Sequence, residues 1–243
     1  MADGSFFTIL DTVDSTNNYA MDRINDGLAK HGMVWFAREQ TAGKGQRGRQ
    51  WAAESGKSIT MSLVLEPAQL KMTNQFHLST VVALACFEFL TGYAGVEVKI
   101  KWPNDLYWRD RKAGGILIEN KLQGKDWKWA VVGIGININE TVFDKNLTNA
   151  VSLTQITGKT FNAVLLAKEL HAMIMAKLAD PASPEMRLQQ YNSHLYKVNQ
   201  LVSLKKAGVQ FDTVIKEVSA GGKLITVDAI EREFDFGEVE WVL

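Results

Sequence analysis

The sequence predicts an α+β protein: one mixed sheet flanked by helices, followed by a small all-β module. Strand-like segments outnumber the helices available to cross between them, which favours hairpins and meanders over repeated βαβ winding. A long apolar run, 73–95, supplies one core helix able to cover a sheet. Beyond Tyr196 the pattern turns to short strands split by glycines, and about 48 residues of that kind suit an SH3-like barrel. The chain therefore divides into domains 1–195 and 196–243.

FFTIL (6–10) reads as a strand, after which Ser15, Thr16 or Asn17 caps a helix through NYAMDRINDGLA (18–29). GMVWFAREQ (32–40) is a second strand, and SITMSLVLE (58–66) alternates polar and apolar residues as a half-buried strand does. The helix over 73–95 is followed by the strand VEVKI (96–100). LYWRD, AGGILIENKLQ and WKWAVVGIGININ then form an antiparallel meander with turns at DRK and QGKD. Helices are expected over 161–178 and 183–195. LVSL, VQFDTVIKEV, KLITVD and FGEVEWVL make the small module, broken at Gly208 and at Gly221 and Gly222.

Lysine plus arginine balances aspartate plus glutamate at 27 each in 243 residues, so no global field gathers nucleic acid or a membrane surface. Any anion site must be local. The single cysteine, Cys86, lies in the apolar run VVALACFEFL, which excludes a disulfide framework and fits a buried thiol in a reducing, cytoplasmic setting. The opening MADGSFFTILD lacks the basic start and apolar stretch of a secretory signal, and no run is expected to reach the length a membrane span requires.

The local anion site is GKGQRGRQW (43–51), with Lys44, Arg47 and Arg49 among Gly43, Gly45 and Gly48 and no acid. Its glycines match a dinucleotide fingerprint by spacing, but they lead into Trp51 and a strand, whereas a pyrophosphate site needs them to open a helix. Gly56, Lys57 and Ser58 mimic the end of a Walker loop, yet Trp51 stands where its first glycine belongs. His31, His77, His171 and His194 have no zinc-ligand spacing, and neither a G-x-S-x-G elbow nor a paired-carboxylate arrangement is present.

DSTNNYA (14–20), REQTAGKGQRGRQW (38–51), KWPNDLYW (101–108), KAGGILIEN (112–120) and VVGIGININ (131–139) remain. In order and spacing they resemble the biotin protein ligases, by motif over roughly residues 5–140 and by layout beyond. The resemblance implies a class II aminoacyl-tRNA synthetase-like mixed sheet with an SH3-like C-terminal domain. It implies an enzyme that makes biotinyl-5'-AMP from biotin and MgATP, then passes the biotinyl group to a lysine of biotin carboxyl carrier protein or another biotin-dependent carboxylase subunit.

By that resemblance Ser15, Thr16, Asn17 and Gln40 line the biotin pocket and offer hydrogen bonds to the ureido ring, which would otherwise be desolvated unpaired. Gly43, Lys44, Gly45 and Gln46 join them, with Gly114 and Gly115 allowing a strand backbone to approach the ligand. Lys112 is expected to bridge the biotin carboxylate and α-phosphate, aided by Arg47 and Arg49. Arg47, Arg49, Trp51, Lys101, Asn104, Asp105 and Asn137 are assigned to ATP and the adenylate, Trp51 covering the adenine as the loop closes. Pro103 stops a strand so that Asn104 and Asp105 emerge at its end. Asp105 serves either magnesium, otherwise held by the ATP phosphates, or the incoming lysine amine.

The family loop reads G-R-G-R-x-G-R-x-W; here Lys44 replaces its first arginine and Gln46 its second, which implies looser retention of the adenylate. The sequence starts directly at the catalytic region, so the monofunctional type without a helix-turn-helix, and no DNA partner, are expected. Family dimers join sheet edges, and a homodimer remains open here. A lipoate or octanoate ligase of the same fold is the nearest alternative, and a non-catalytic nucleotide- or nucleic-acid-binding module is another. The polar quartet weighs against the first and zero net charge against the second.

Overall fold

A computed structural model describes residues 6–67, 75–145, 147 and 149–242. The start of the expected 73–95 helix and the last residue of the final expected strand lie outside that set.

The large sheet takes β1 (Phe7–Val13), β2 (Val34–Gln40), β3 (Ser58–Leu65), β4 (Val98–Lys101), β5 (Asp105–Trp108), β6 (Arg111–Gln123) and β7 (Asp126–Asn137) in the order β1-β2-β3-β7-β6-β5-β4. Only β1 and β2 pair in parallel, across the crossover helix α1 (Thr16–Asn25); the other neighbours are antiparallel, so the sheet is mixed as expected. The basic loop joins adjacent antiparallel strands, β2 and β3. β1 and β4 are the sheet edges, and Ile100 of β4 already pairs with Leu195.

Helices α2 (Gln75–Ala94), α4 (Ala163–Ala179) and α5 (Pro184–Ser193) surround the main core, with α2 packed against α4, α5 and β4. By length and composition α2 could cross a membrane, which corrects the expectation that no run is long enough. Its residues from Val81 to Phe87 are all buried, so here the apolar surface is spent on the core. Helix α1 covers the other face, where Ala20 and Ile24 meet Trp35, Val64 and Val131.

Three further expectations change. α1 ends at Asn25 rather than running to residue 29, because Asp26 closes it and Gly27 turns to φ +70°. β3 alternates as expected yet is buried at every position, since α1 and the site cover its polar face. A short helix α3 (Leu153–Thr157) was not anticipated, although Ser152 and Gln155 form its capping box and that spacing is visible in the sequence.

The small module is one antiparallel sheet of β8 (Leu201–Lys206), β9 (Val209–Val218), β10 (Leu224–Val227), β11 (Glu231–Phe234) and β12 (Glu240–Val242) in the order β11-β10-β9-β8-β12. It has one more strand than expected: β11 was unread because EREF lacks an apolar run. Asn192 of α5 exchanges two hydrogen bonds with the Val218 backbone, and Trp102 Nε1 donates to Gly222 O at 2.9 Å.

Candidate active site

A cleft of about 520 Å³ opens where the start of α1, the basic loop, the β4–β5 turn, the centres of β6 and β7 and the small module meet.

One end is polar and buried. Ser15, Thr16 and Asn17 are 1%, 4% and 2% exposed, and Ser15 has the extended backbone of an N-cap without any side-chain capping bond. That separates these residues from a plain helix cap: their side chains turn to other work. The Thr16 amide and hydroxyl both donate to Gln40 Oε1, at 2.8 and 3.1 Å. Asn17 Nδ2 donates to Glu119 Oε2 at 2.7 Å, while Ser62 Oγ donates to Asn17 Oδ1 at 2.5 Å. Gly133 lies under this carboxamide, where any side chain would collide with it.

The basic loop is a closed hairpin. Gly45 N–H donates to Arg49 O at 2.7 Å and Trp51 N–H to Gly43 O at 2.9 Å, with Arg47 at φ 55° and Gly48 at φ 76° forming the tip. Its cations are divided. Lys44 pairs with Glu119 at 3.2 Å, so its charge is already countered. Arg47 lines the cleft at the wall made by the small module: Nη1 donates to Gly237 O at 3.0 Å and the guanidinium lies over the Phe236 ring. Arg49 lines the cleft and is near enough to Lys101 to depress its pKa. Uncharged Gln46 lines it too, 3.5 Å from the Ile116 carbonyl.

Trp51 lies on the floor against Gly135, which has no side chain to lift the ring, and Lys112 Nζ is 6.0 Å from the ring centroid. Its indole nitrogen is buried and unpaired, so Trp51 belongs to the site rather than to the core.

The KWPND segment forms the turn between β4 and β5, with a cis bond before Pro103. Asp105 Oδ1 pairs with Lys112 Nζ at 2.7 Å, an ion pair between two partly exposed side chains facing the cleft. Asn104 ties the turn to β6, donating from Nδ2 to Ile116 O at 2.7 Å. Asn137, buried at the end of β7, donates to the carbonyls of Lys112 and Val151 at 3.4 and 3.2 Å and so holds the strand that presents Lys112.

Lys101 is 8% exposed. Its ammonium donates to Tyr107 Oη at 3.2 Å and lies 5.1 Å from the Trp241 ring, which comes from the small module. Burial lowers its pKa to about 8, with Lys112 and Arg49 adding to the depression and Asp105 opposing it. Lys44, Arg47, Arg49, Lys101 and Lys112 line the cleft against two carboxylates, Asp105 and Glu240, and so leave positive charge there unbalanced. An anion fits there.

Two glycines take different places from those expected. Gly114 faces β7, where a Cβ would stand 2.8 Å from Gly135 O, and it packs strands rather than touching the cleft. Gly43 lies behind the loop, its missing side chain leaving room for Gln40 Nε2. Gly45 and Gly115 do line the cleft. Sequence reasoning missed Ser62, Glu119, Phe236, Gly237 and Trp241. Glu119 alone had a signal, an acid in the middle of the apolar strand ILIEN. No cluster of three metal-ligating side chains occurs among the described residues, so a magnesium ion has no protein-built cage here.

Comparison with known proteins agrees with this geometry. The chain is 34% identical over 177 residues to the bifunctional ligase/repressor BirA of Escherichia coli, a match covering 71% of this chain and 54% of that protein. It is 39% identical over 133 residues to the biotin–[acetyl-CoA-carboxylase] ligase of Paracoccus denitrificans, covering 54% and 53%. The chain thus spans about half the length of these curated relatives. The biotin protein ligase of Aquifex aeolicus solved with biotin and ATP superposes with a TM-score of 0.80 at 26% identity, over 96% of this chain and 97% of that one. Residues 9–137, which carry nearly all of the cleft-forming strands and motifs, match the family model directly, and the chain belongs to the biotin/lipoate A/B protein ligase family.

Proposed function

We propose that this protein activates biotin with ATP to biotinyl-5'-AMP and transfers the biotinyl group to a lysine of a biotin carboxyl carrier protein or related carboxylase subunit. The observation that carries this reading is the Asp105–Lys112 pair in one cleft with a hydrogen-bonding group of Thr16, Asn17 and Gln40 and the further cations Lys101 and Arg49. A cleft so lined suits a ligand with a neutral polar head and a carboxylate tail beside a polyphosphate.

In the first step a biotin carboxylate oxygen attacks the α-phosphorus, the bond to the β-phosphate oxygen breaks, and pyrophosphate leaves. At about 3.5 Å and an effective dielectric near 20, carboxylate and phosphate repel by roughly 5 kcal/mol. Uncompensated, that is three to four powers of ten in rate. Lys112, Lys101 and Arg49 supply the opposing charge from the cleft lining. Magnesium, entering on the nucleotide phosphates, supplies further charge neutralisation when bound. Asn137 and Asn104 hold the strand and turn that carry these groups. In the second step the acceptor amine attacks the acyl carbon, the acyl–phosphate bond breaks and AMP leaves. Asp105, a cleft carboxylate now paired with Lys112, orients that amine in this reading once Lys112 has turned to the phosphate.

The test is biotin-dependent exchange of pyrophosphate into ATP. Wild-type protein is expected to catalyse it, and Lys112→Ala to lose about a hundredfold or more in kcat, the scale for one transition-state donor. Exchange driven by lipoate instead of biotin would move the assignment to the other branch of the family.

A further inference from the structure

The polar end of the cleft contains two carboxamides, and the structure fixes which way each one faces. Gln40 Oε1 receives both the amide and the hydroxyl of Thr16, so Nε2, with two donors, is the free end. Asn17 is held from both sides. Glu119, a carboxylate that only accepts, takes Asn17 Nδ2 at 2.7 Å and also binds Lys44 at 3.2 Å. Ser62 has a single proton to give, and the shorter of its contacts, 2.5 Å to Asn17 Oδ1 against 2.8 Å to Thr16 Oγ1, takes it. Both amide oxygens are committed to the protein, and each nitrogen retains at least one N–H.

We propose that Ser62 and Glu119 are positioning residues that lock the Asn17 carboxamide with its N–H side available to the ligand, so that the cleft selects a head group offering a hydrogen-bond acceptor. This rests on the biotin reading and deepens it: the ureido carbonyl is such an acceptor, and a guanidinium-type head in the same place is not. Ser62 is fully buried and Glu119 is absent from the cleft lining, so both act through Asn17 rather than on the ligand. Without them the carboxamide is free to rotate by half a turn and present its oxygen, because the two ends of an amide have nearly the same shape.

The experiment compares binding of biotin and of 2-iminobiotin, whose protonated head carries donors where biotin has its carbonyl, by calorimetry on the full chain. Wild-type protein is expected to prefer biotin. Ser62→Ala and Glu119→Leu are expected to narrow that preference by about tenfold or more, the scale of one misdirected buried hydrogen bond. KM for ATP in the exchange assay is expected to change by less than about twofold in Ser62→Ala, because Ser62 touches only Thr16 and Asn17 at the polar end. Glu119→Gln keeps an acceptor opposite Asn17 Nδ2 while losing the charge opposite Lys44, and is expected to restore the preference. Equal preference in wild type and both disrupting variants would overturn the proposal. So would a parallel rise in KM for ATP in Ser62→Ala, the mark of a damaged sheet, or a Glu119→Gln protein as unselective as Glu119→Leu. If the wild-type protein binds no biotin, it is the function itself that fails.

Discussion

Lys101 is an amine buried against two aromatic rings with no carboxylate at ion-pair distance among the described residues. Its pKa near 8 lies below the ordinary 10.5, so between those values the unfolded chain holds more protons than the folded one. The contribution of this group to stability therefore rises with pH across that window and is flat below it. An arriving polyphosphate reverses the balance and draws a proton in. At pH 8 ATP binding is expected to take up about half a proton, measured by calorimetry in buffers of different ionisation enthalpy, and Lys101→Met to abolish the uptake. The sequence showed Lys101 as one cation among several, because nothing in KWPND reveals that Trp241, far along the chain, covers it. Thr16 and Asn17 were legible as polar residues at a helix start; their orientation was not, since it depends on Ser62 and Glu119 from other strands.

At the scale of elements, most strands and helices were readable because their periodicity is local. The alternation of β3, the apolar length of α2 and the β6–β7 pair follow from side chains a few positions apart. What local pattern could not show was that the polar face of β3 is covered, which takes α1 packed across it. The basic loop is the element whose sequence said most about chemistry and least about shape. It is a hairpin that pairs Lys44 with Glu119 and ties Arg47 to the small module, while Arg47 and Arg49 both line the cleft without a salt bridge among the described residues. Gln46 stands beside Ile116 at the cleft wall with no charge to set against an acyl phosphate. Gln46→Arg is expected to slow escape of biotinyl-adenylate by about tenfold or more, the value of one charge-assisted hydrogen bond, read by chromatography of released adenylate. Identical release from both proteins would show that the loop does not retain the intermediate through charge at this position.

At the scale of the molecule, the small module forms one wall of the cleft. Phe236 stacks edge-on with Trp102 at 6.2 Å and lies under Arg47, so one aromatic ring touches both the KWPND turn and the basic loop. Phe236→Ala is expected to raise KM for ATP by about two- to fivefold through loss of that exposed cation–π contact. Biotin affinity should be unchanged, since the polar end lies with α1 and β3, and steady-state exchange at varied ATP separates the two. Two hydrogen bonds across this wall, Arg47 to Gly237 and Trp102 to Gly222, join residues 190 and 120 positions apart. Closing such long intervals is entropically slow compared with forming a hairpin or a helix. During refolding the strands and helices should therefore register by circular dichroism before any turnover returns, and the catalytic chamber should be the last part of the protein to be assembled.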